Sequence, residues 1–259
     1  MKLKKQKILG INTSFDSIDY DGFINDSFRT STSFMDYDAV VIDTSFLAKG
    51  YGESYPGTYQ GKRMISKDES RRMEEEFSRT KTQIIDFLKQ GKNVFVFMAT
   101  NENCYIYTGR TEYSGTGKNA RGTDIVTEFN DFSFLPIAIK PTLVSGEDFN
   151  IVCQPPYSKF FHETRDMMYY DAYFEVSKNS ALLMIPNSDK AISAVFEYEQ
   201  GKIIILPYPY DERYYENKRE WKKAGKRYLD ALFELNNTLS SRAESFALPL
   251  WSENIKLPN

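Results

Sequence analysis

The one histidine of the chain, His162, bounds the acid–base chemistry open to it, because any mechanism that needs an imidazole rests on that ring alone. It stands in Phe160-Phe161-His162-Glu163, where a packed and hydrogen-bonded ring is the plainer role. The candidate nucleophile is Cys104, in Asn101-Glu102-Asn103-Cys104-Tyr105-Ile106, which lacks the glycines that expose a nucleophile on a strained strand-to-helix turn. Two readings of these residues stand side by side. One is a cysteine-dependent amidohydrolase or amidotransferase using Cys104, His162 and Glu163, brought together by a loop; the other is a chain with no catalytic residues. Metal chemistry has no foothold in the pattern. Cys104 and Cys153 have no C-x-x-C spacing, and neither H-E-x-x-H nor G-x-S-x-G occurs, so no metal and no cofactor is expected.

Residues 108–122 combine Gly109, Gly115, Gly117 and Gly122 with Arg110, Lys118 and Arg121, a composition able to wrap an anion with backbone N–H groups and cationic side chains. This is not a Walker A loop, since Gly117-Lys118 is followed by Asn119 rather than Ser or Thr. The alternative is a mobile, solvated loop. Tyrosines recur as Tyr169-Tyr170, Tyr208-Pro209-Tyr210 and Tyr214-Tyr215, either to stack on a base or a partner or to pack around a sheet edge. The run Glu74, Glu75, Glu76 reads as the solvated face of a helix.

The elements that would position these groups can be read from periodicity. Residues 8–11, 37–43 and 93–98 are short, continuous apolar runs of the kind a parallel sheet buries on both faces. Between the first two lies a polar segment through about residue 36, and a glycine-bearing loop follows the second. From Ser66, Met73, Phe77, Ile84 and Leu88 recur at helical spacing up to Gly91, which predicts a helix over 67–90 opened by a Ser66/Glu69 capping box. Strand, helix and strand in that order imply a right-handed crossover.

Residues 132–140 are apolar but broken by Pro136, at most an edge strand or a packed loop, and 148–153 and 170–176 are short strand candidates. Residues 181–185, 191–198 and 202–206 read as three closely spaced strands, the last two joined by a tight turn at Glu199-Gln200-Gly201. A second long helix is expected over 212–239, with Trp221, Tyr228, Leu232, Leu235 and Leu239 along one seam. The fold class is therefore α/β, a mostly parallel sheet with an antiparallel portion near the C-terminus. Residues 1–240 form one domain, and 241–259, with two prolines, an extended docking tail or linker, or the start of a segment removed from a longer chain.

Ligands in such sheets bind outside the carboxyl ends of the strands, where loops diverge and helix N-termini point partial positive charge. The long polar connections after the first three strands make that edge the place to look, at Asn12, Thr13, Asp43, Thr44, Ser45, Thr100 and Asn101. Each of these residues is also a common strand terminator that satisfies local backbone groups.

Lys plus Arg number 33 against 36 Asp plus Glu, so no basic field draws a nucleic-acid backbone, and a nucleic-acid partner is not expected. Residues 2–7 are basic, but the apolar stretch behind them is too short for an export signal, and nothing approaches the ~18 apolar residues of a membrane span. With only Cys104 and Cys153, a reducing, cytoplasmic setting is expected, with no membrane association.

The C-terminal strands at 181–185 and 191–198, the run Gly201-Lys202-Ile203-Ile204-Ile205-Leu206-Pro207 and the helix from near Tyr214 resemble members of the class I glutamine amidotransferase-like superfamily, including its trehalose-utilisation-type and uncharacterised bacterial branches. With the strands at 37–43 and 93–98 and the helix between them, the resemblance covers most of the chain as a pattern. It implies a flavodoxin-like three-layer sandwich and, in active members, a cysteine on a glycine-flanked elbow with a histidine and an acid near the C-terminus. Cys104 lacks the glycines, and His162-Glu163 precedes the closing strands and has no spacer between base and acid. The resemblance thus implies a degenerate, non-catalytic binding or regulatory module that takes a small anionic ligand or a protein partner, alone or as one component of a larger bacterial assembly.

Overall fold

Both faces of the central strands are apolar, and that pattern decides the architecture. The computed structural model describes residues 5–30, 32–45, 47, 51, 58–100, 104–129, 132–177 and 179–246. In chain order the elements are β1 (Ile8–Ile11), β2 (Phe23–Asp26), β3 (Ala39–Asp43), β4 (Thr58–Tyr59), β5 (Lys62–Met64), α1 (Lys67–Lys89), β6 (Asn93–Phe97), β7 (Cys104–Ser114) and β8 (Arg121–Glu128). There follow β9 (Thr142–Gly146), β10 (Asn150–Ile151), α2 (Tyr157–Thr164), β11 (Met168–Tyr173), β12 (Ala181–Met184), β13 (Ala191–Tyr198), β14 (Gly201–Leu206), β15 (Tyr208–Pro209) and α3 (Lys218–Phe246).

The main sheet has the order β10-β12-β13-β14-β6-β3-β1-β2. From β2 to β14 every pairing is parallel, and β13, β12 and β10 are added antiparallel. The three predicted strands β1, β3 and β6 are therefore parallel neighbours, and all their residues are buried. The predicted tight turn joins Tyr198 to Gly201, with Glu199 at a φ of 54°.

Alternation along the strands sorts the core into two halves. Leu9, Val40, Ile42, Val94, Val96, Ile203 and Ile205 pack with Met73, Phe77, Ile84, Phe87 and Leu88 of α1. The intervening Ile8, Ala39, Val41, Phe95, Phe97, Ile204 and Leu206 pack with Trp221, Tyr228, Leu229, Leu232 and Leu235 of α3 and with Phe160 and Phe161 of α2. At about 1.5–3 kcal/mol for each large apolar side chain fully buried, these two seams dominate the stabilisation. Asn93 Nδ2 donates to Asn236 Oδ1 at 2.8 Å between β6 and α3, a buried polar contact inside one seam.

Several expectations are corrected. The polar segment after β1 contains β2, whose Phe23 and Ile24 pair with Ile8 and Leu9 at the edge of the sheet. Residues 108–122 are not a loop but most of a hairpin, β7 and β8, which joins β5 and β4 in a separate four-stranded sheet. The second long helix starts later and ends later than 212–239. Asp211 caps a short 3-10 turn, Asn217 Oδ1 takes the N–H groups of Arg219 and Glu220 to open α3, and α3 continues to Phe246. The rest of the expected tail, 247–259, lies outside the described residues.

The first helix keeps its predicted start, with Ser66 Oγ accepting from Glu69 N, but the Glu69 carboxylate takes the Arg29 guanidinium at 3.0 Å instead of turning back to the cap. Nor is the glutamate run wholly solvated. Glu76 is 6% exposed and accepts from Tyr51 Oη at 2.5 Å and Arg72 Nε at 2.9 Å. Among the described residues no helix is long and apolar enough to cross a membrane.

Candidate functional site: a tyrosine and carboxylate rim

β1 leads to β2 on one side of the sheet, whereas β3 leads through α1 to β6 on the other. Connections that part in this way leave a crevice outside the carboxyl ends of the two strands. The last residue of β3, at that position, is Asp43. Ala39 and Val41 face α3, so the two-residue period turns Asp43 to the same side, beside its register partner Phe97.

A second element roofs this edge. β15 follows β14 directly and pairs with β11, which pairs in turn with β9. The Thr100 N–H, just beyond β6, donates to Asp171 Oδ1 of β11 at 3.0 Å, and Tyr210 N donates to Met167 O at 2.8 Å. The small β15-β11-β9 sheet is thereby fastened over the carboxyl ends of β6 and β14.

Two carboxylates on this rim are displaced from their ordinary ionisation. Asp43 is 4% exposed, and burial pushes its carboxyl up to about 6, against the Ser45 N–H and hydroxyl that it accepts at 2.9 and 2.6 Å; Asp171 and Asp211 add to the rise. Asp171 is also pushed up to about 6 by burial, with hydrogen bonds from Thr100 opposing. Asp211 differs. Burial works to raise it, but the Arg213 guanidinium and N–H prevail and hold its carboxyl below the usual range. Asp211 therefore has a cation, while among the described residues no cation figures among the groups that act on Asp43 or Asp171.

Tyrosines surround the carboxylates. Tyr169 of β11 has ring contacts with Tyr208 at 5.3 Å, Tyr210 at 6.1 Å and Tyr214 at 6.5 Å, and Tyr210 lies 4.7 Å from Tyr214. Tyr214 is the outermost ring, 54% exposed. The Tyr208 hydroxyl is held in its neutral form first by burial and then by Asp171, Tyr169, Tyr214 and Asp43, which places it in the field of both carboxylates. Tyr210 is pushed up to about 12 by burial and by the charge and hydrogen bond of Glu147.

The residues named from sequence take different parts. Thr44 is fully buried and spent on structure: its hydroxyl donates to Phe97 O and accepts from Ala99 N, both at 2.9 Å, stitching β3 to the end of β6. Asn12, at a φ of 56°, accepts the Phe28 N–H, and the Thr13 hydroxyl donates to Asn25 Oδ1; both hold β1 to β2 and the turn beyond it. Ser45 and Thr100 hold the two carboxylates. Asn101 lies outside the described residues.

Arg110, Lys118 and Arg121 are exposed on the β7–β8 hairpin, at a bulge, in the turn and opposite Ser114 respectively. That hairpin is docked on α1, with Ser70 Oγ accepting from Tyr107 N and Lys67 bonded to Asp124, so it belongs to the other side of the sheet from Asp43. Cys104 is buried in the α1 half of the core. His162 and Glu163 are exposed on α2, in the α3 half, and Glu163 lies 3.8 Å from Lys159. The structure does not bring these three residues together. Burial pushes the Cys153 thiol up to about 11, away from the thiolate a nucleophile needs.

No motif in the sequence singles out Asp171, Asp211 or Arg213, and the tyrosine runs read there more plainly as packing around a sheet edge than as a stacking surface. The signal available was an aspartate inside the strand pattern of residues 168–173, flanked by tyrosines, since strands are poor in aspartate unless it has work to do. Among the described residues no group of three or more His, Cys, Asp or Glu side chains could hold a metal ion. Comparison with known protein families and with curated proteins finds no match for this chain.

Proposed function

We propose that the chain is a non-catalytic recognition module, a flavodoxin-like three-layer sandwich akin to degenerate members of the class I glutamine amidotransferase-like superfamily. The parallel order β2-β1-β3-β6-β14 supports this reading, being the 2-1-3-4-5 order of flavodoxin-like sheets when the parallel strands alone are counted. So do α1 and α3 packing on opposite faces. The observation that carries the proposal is the juxtaposition of Asp43, Asp171 and Tyr208 at the carboxyl edge, polar groups kept half or wholly from water with no catalytic partner. The sign of the rim redirects the ligand. An anion would face two uncompensated carboxylates there, and the three cations expected to hold it stand on the hairpin, so a neutral or cationic ligand suits the rim.

A screen of metabolites by amide chemical-shift perturbation tests the proposal. A ligand of the proposed kind shifts residues 43–45, 98–100, 168–173 and 207–214 as a group. If no compound moves that group, or if shifts follow the exposed hairpin instead, the rim is not a recognition surface.

A further inference from the structure

We propose that the rim is built for the ammonium head of a small organic cation; this rests on the recognition reading above and names its ligand class. Three observations converge. The first is charge. Asp43 and Asp171 are withdrawn from water, and among the described residues no basic side chain acts on either, whereas buried carboxylates are ordinarily paired or protonated. Below about pH 6 a proton fills that place; above it the carboxylates are mostly ionised, and a cation entering the rim meets their charge. Arg213 does not serve, because it is bound to Asp211 through Nε and Nη2.

The second is the kind of cation. Divalent metal would need converging ligands, and no such group exists among the described residues. What accompanies the carboxylates is ring surface. Tyr169, Tyr210 and Tyr214 lie with interplanar angles of 26° to 35°, and Tyr214 is open to solvent. Aromatic faces attract weakly hydrated organic cations through the ring quadrupole, and an alkylated ammonium gives up its water at lower cost than a metal ion.

The third is an unspent hydroxyl. Tyr228 of α3 is fully buried, and its Oη has no hydrogen-bond partner. Its ring packs against Phe97, the register neighbour of Asp43, at 5.8 Å, and Asp43 is the charged group acting on it. A phenol left unsatisfied next to an uncompensated carboxylate marks a place completed by something the chain does not supply.

The test uses the full chain with choline as probe and 3,3-dimethylbutan-1-ol as its uncharged isostere, both read by amide shifts. Choline is expected to saturate the rim group with a millimolar constant, and the isostere to bind about tenfold more weakly. Tyr214→Ala, at an exposed ring, and the isosteric Asp171→Asn should each weaken choline about tenfold, with the fold checked by the unshifted amides of α1. Equal affinity for the isostere overturns the inference, since charge would not then be read. So does silence toward choline at about 10 mM, well above that constant. If in either case another compound occupies the rim, recognition survives and only the ligand class falls; if nothing does, both fall.

Discussion

The Thr100 main-chain N–H meets Asp171 Oδ1 at 3.0 Å, and this bond joins the end of a central parallel strand to a strand of a different sheet. Without β11 laid across it, the carboxyl edge of β3 and β6 would present Asp43 to bulk water. With it, Asp43 and Asp171 share a low-dielectric rim, and Asp171 adds to the burial that opposes the ionisation of Asp43. The fold thus builds an acidic site from two weakly related pieces, the parallel sheet and its small roof.

Stability should carry the mark of this arrangement. Asp43 has a folded value of about 6 against an unfolded value near 3.9, so the folded chain holds its proton more firmly between those limits. A raised carboxylate favours folding fully below the unfolded value, and that contribution is lost as pH rises through about 6. The groups facing Asp43 are Ser45, Asp171, Asp211 and the phenols of Tyr208 and Tyr228. Urea unfolding of Asp43→Asn should show about 2 kcal/mol less loss of stability than the parent between pH 4.5 and 7.5. Parallel pH profiles for the two proteins would remove the claim that Asp43 is a strained carboxylate.

Thr44 should prove a structural residue despite its position on the rim. Its hydroxyl gives a hydrogen to Phe97 O and receives one from Ala99 N inside the core, so Thr44→Val keeps the shape and leaves two buried backbone groups without that partner. The expected cost is about 1–3 kcal/mol in urea unfolding, with choline shifts at the rim unchanged in size. A variant as stable as the parent would show that the β3–β6 junction does not depend on this hydroxyl.

How far the sequence reveals this molecule varies with how local the cause is. β3, β6 and α1 were legible because their signals are self-contained: unbroken apolar runs, and a Ser66 cap followed by Met73, Phe77, Ile84 and Leu88. β2 was not, since a four-residue edge strand with Asn25 and Asp26 has no period to show and exists because β1 offers it a parallel edge. The rim was half legible. Asp43, Ser45 and Thr100 follow from strand ends, but Asp171 and Tyr169 reach the site only through pairing with β15 and β9, contacts that no local pattern encodes. The glycines of residues 108–122 suggested an anion cradle, yet Gly109, Gly115 and Gly117, all at positive φ, serve the bulge and turn of a hairpin.

Two glycines separate backbone clash from side-chain clash. A Cβ on Gly201 would lie 2.2 Å from Lys92 O and 3.0 Å from Leu88 Cα, atoms of the α1–β6 turn that cannot yield. A Cβ on Gly225 of α3 would lie 1.9 Å from Ile18 Cδ1, the free end of a side chain, and alanine is the better helix former by up to about 1 kcal/mol. Gly201→Ala should therefore lose on the order of 3 kcal/mol, while Gly225→Ala stays within about 1 kcal/mol of the parent. Chemical denaturation of both variants checks this, and a reversed order would mean that the β13–β14 hairpin is not seated against α1 as described.

Tyr228 supplies the sharpest contrast between stability and binding. A fully buried hydroxyl without a partner costs about 1–3 kcal/mol relative to one that is satisfied, and phenylalanine removes the polar atom while keeping the ring against Phe15, Phe97 and Phe160. Tyr228→Phe should be as stable as the parent or up to about 1 kcal/mol more so in urea. A loss of more than about 1 kcal/mol would mean that the hydroxyl is satisfied in the folded chain, by Asp43 or by trapped water. That outcome would also leave an incoming cation without an unspent hydroxyl beside Asp43, because the phenol would already be satisfied in the free chain.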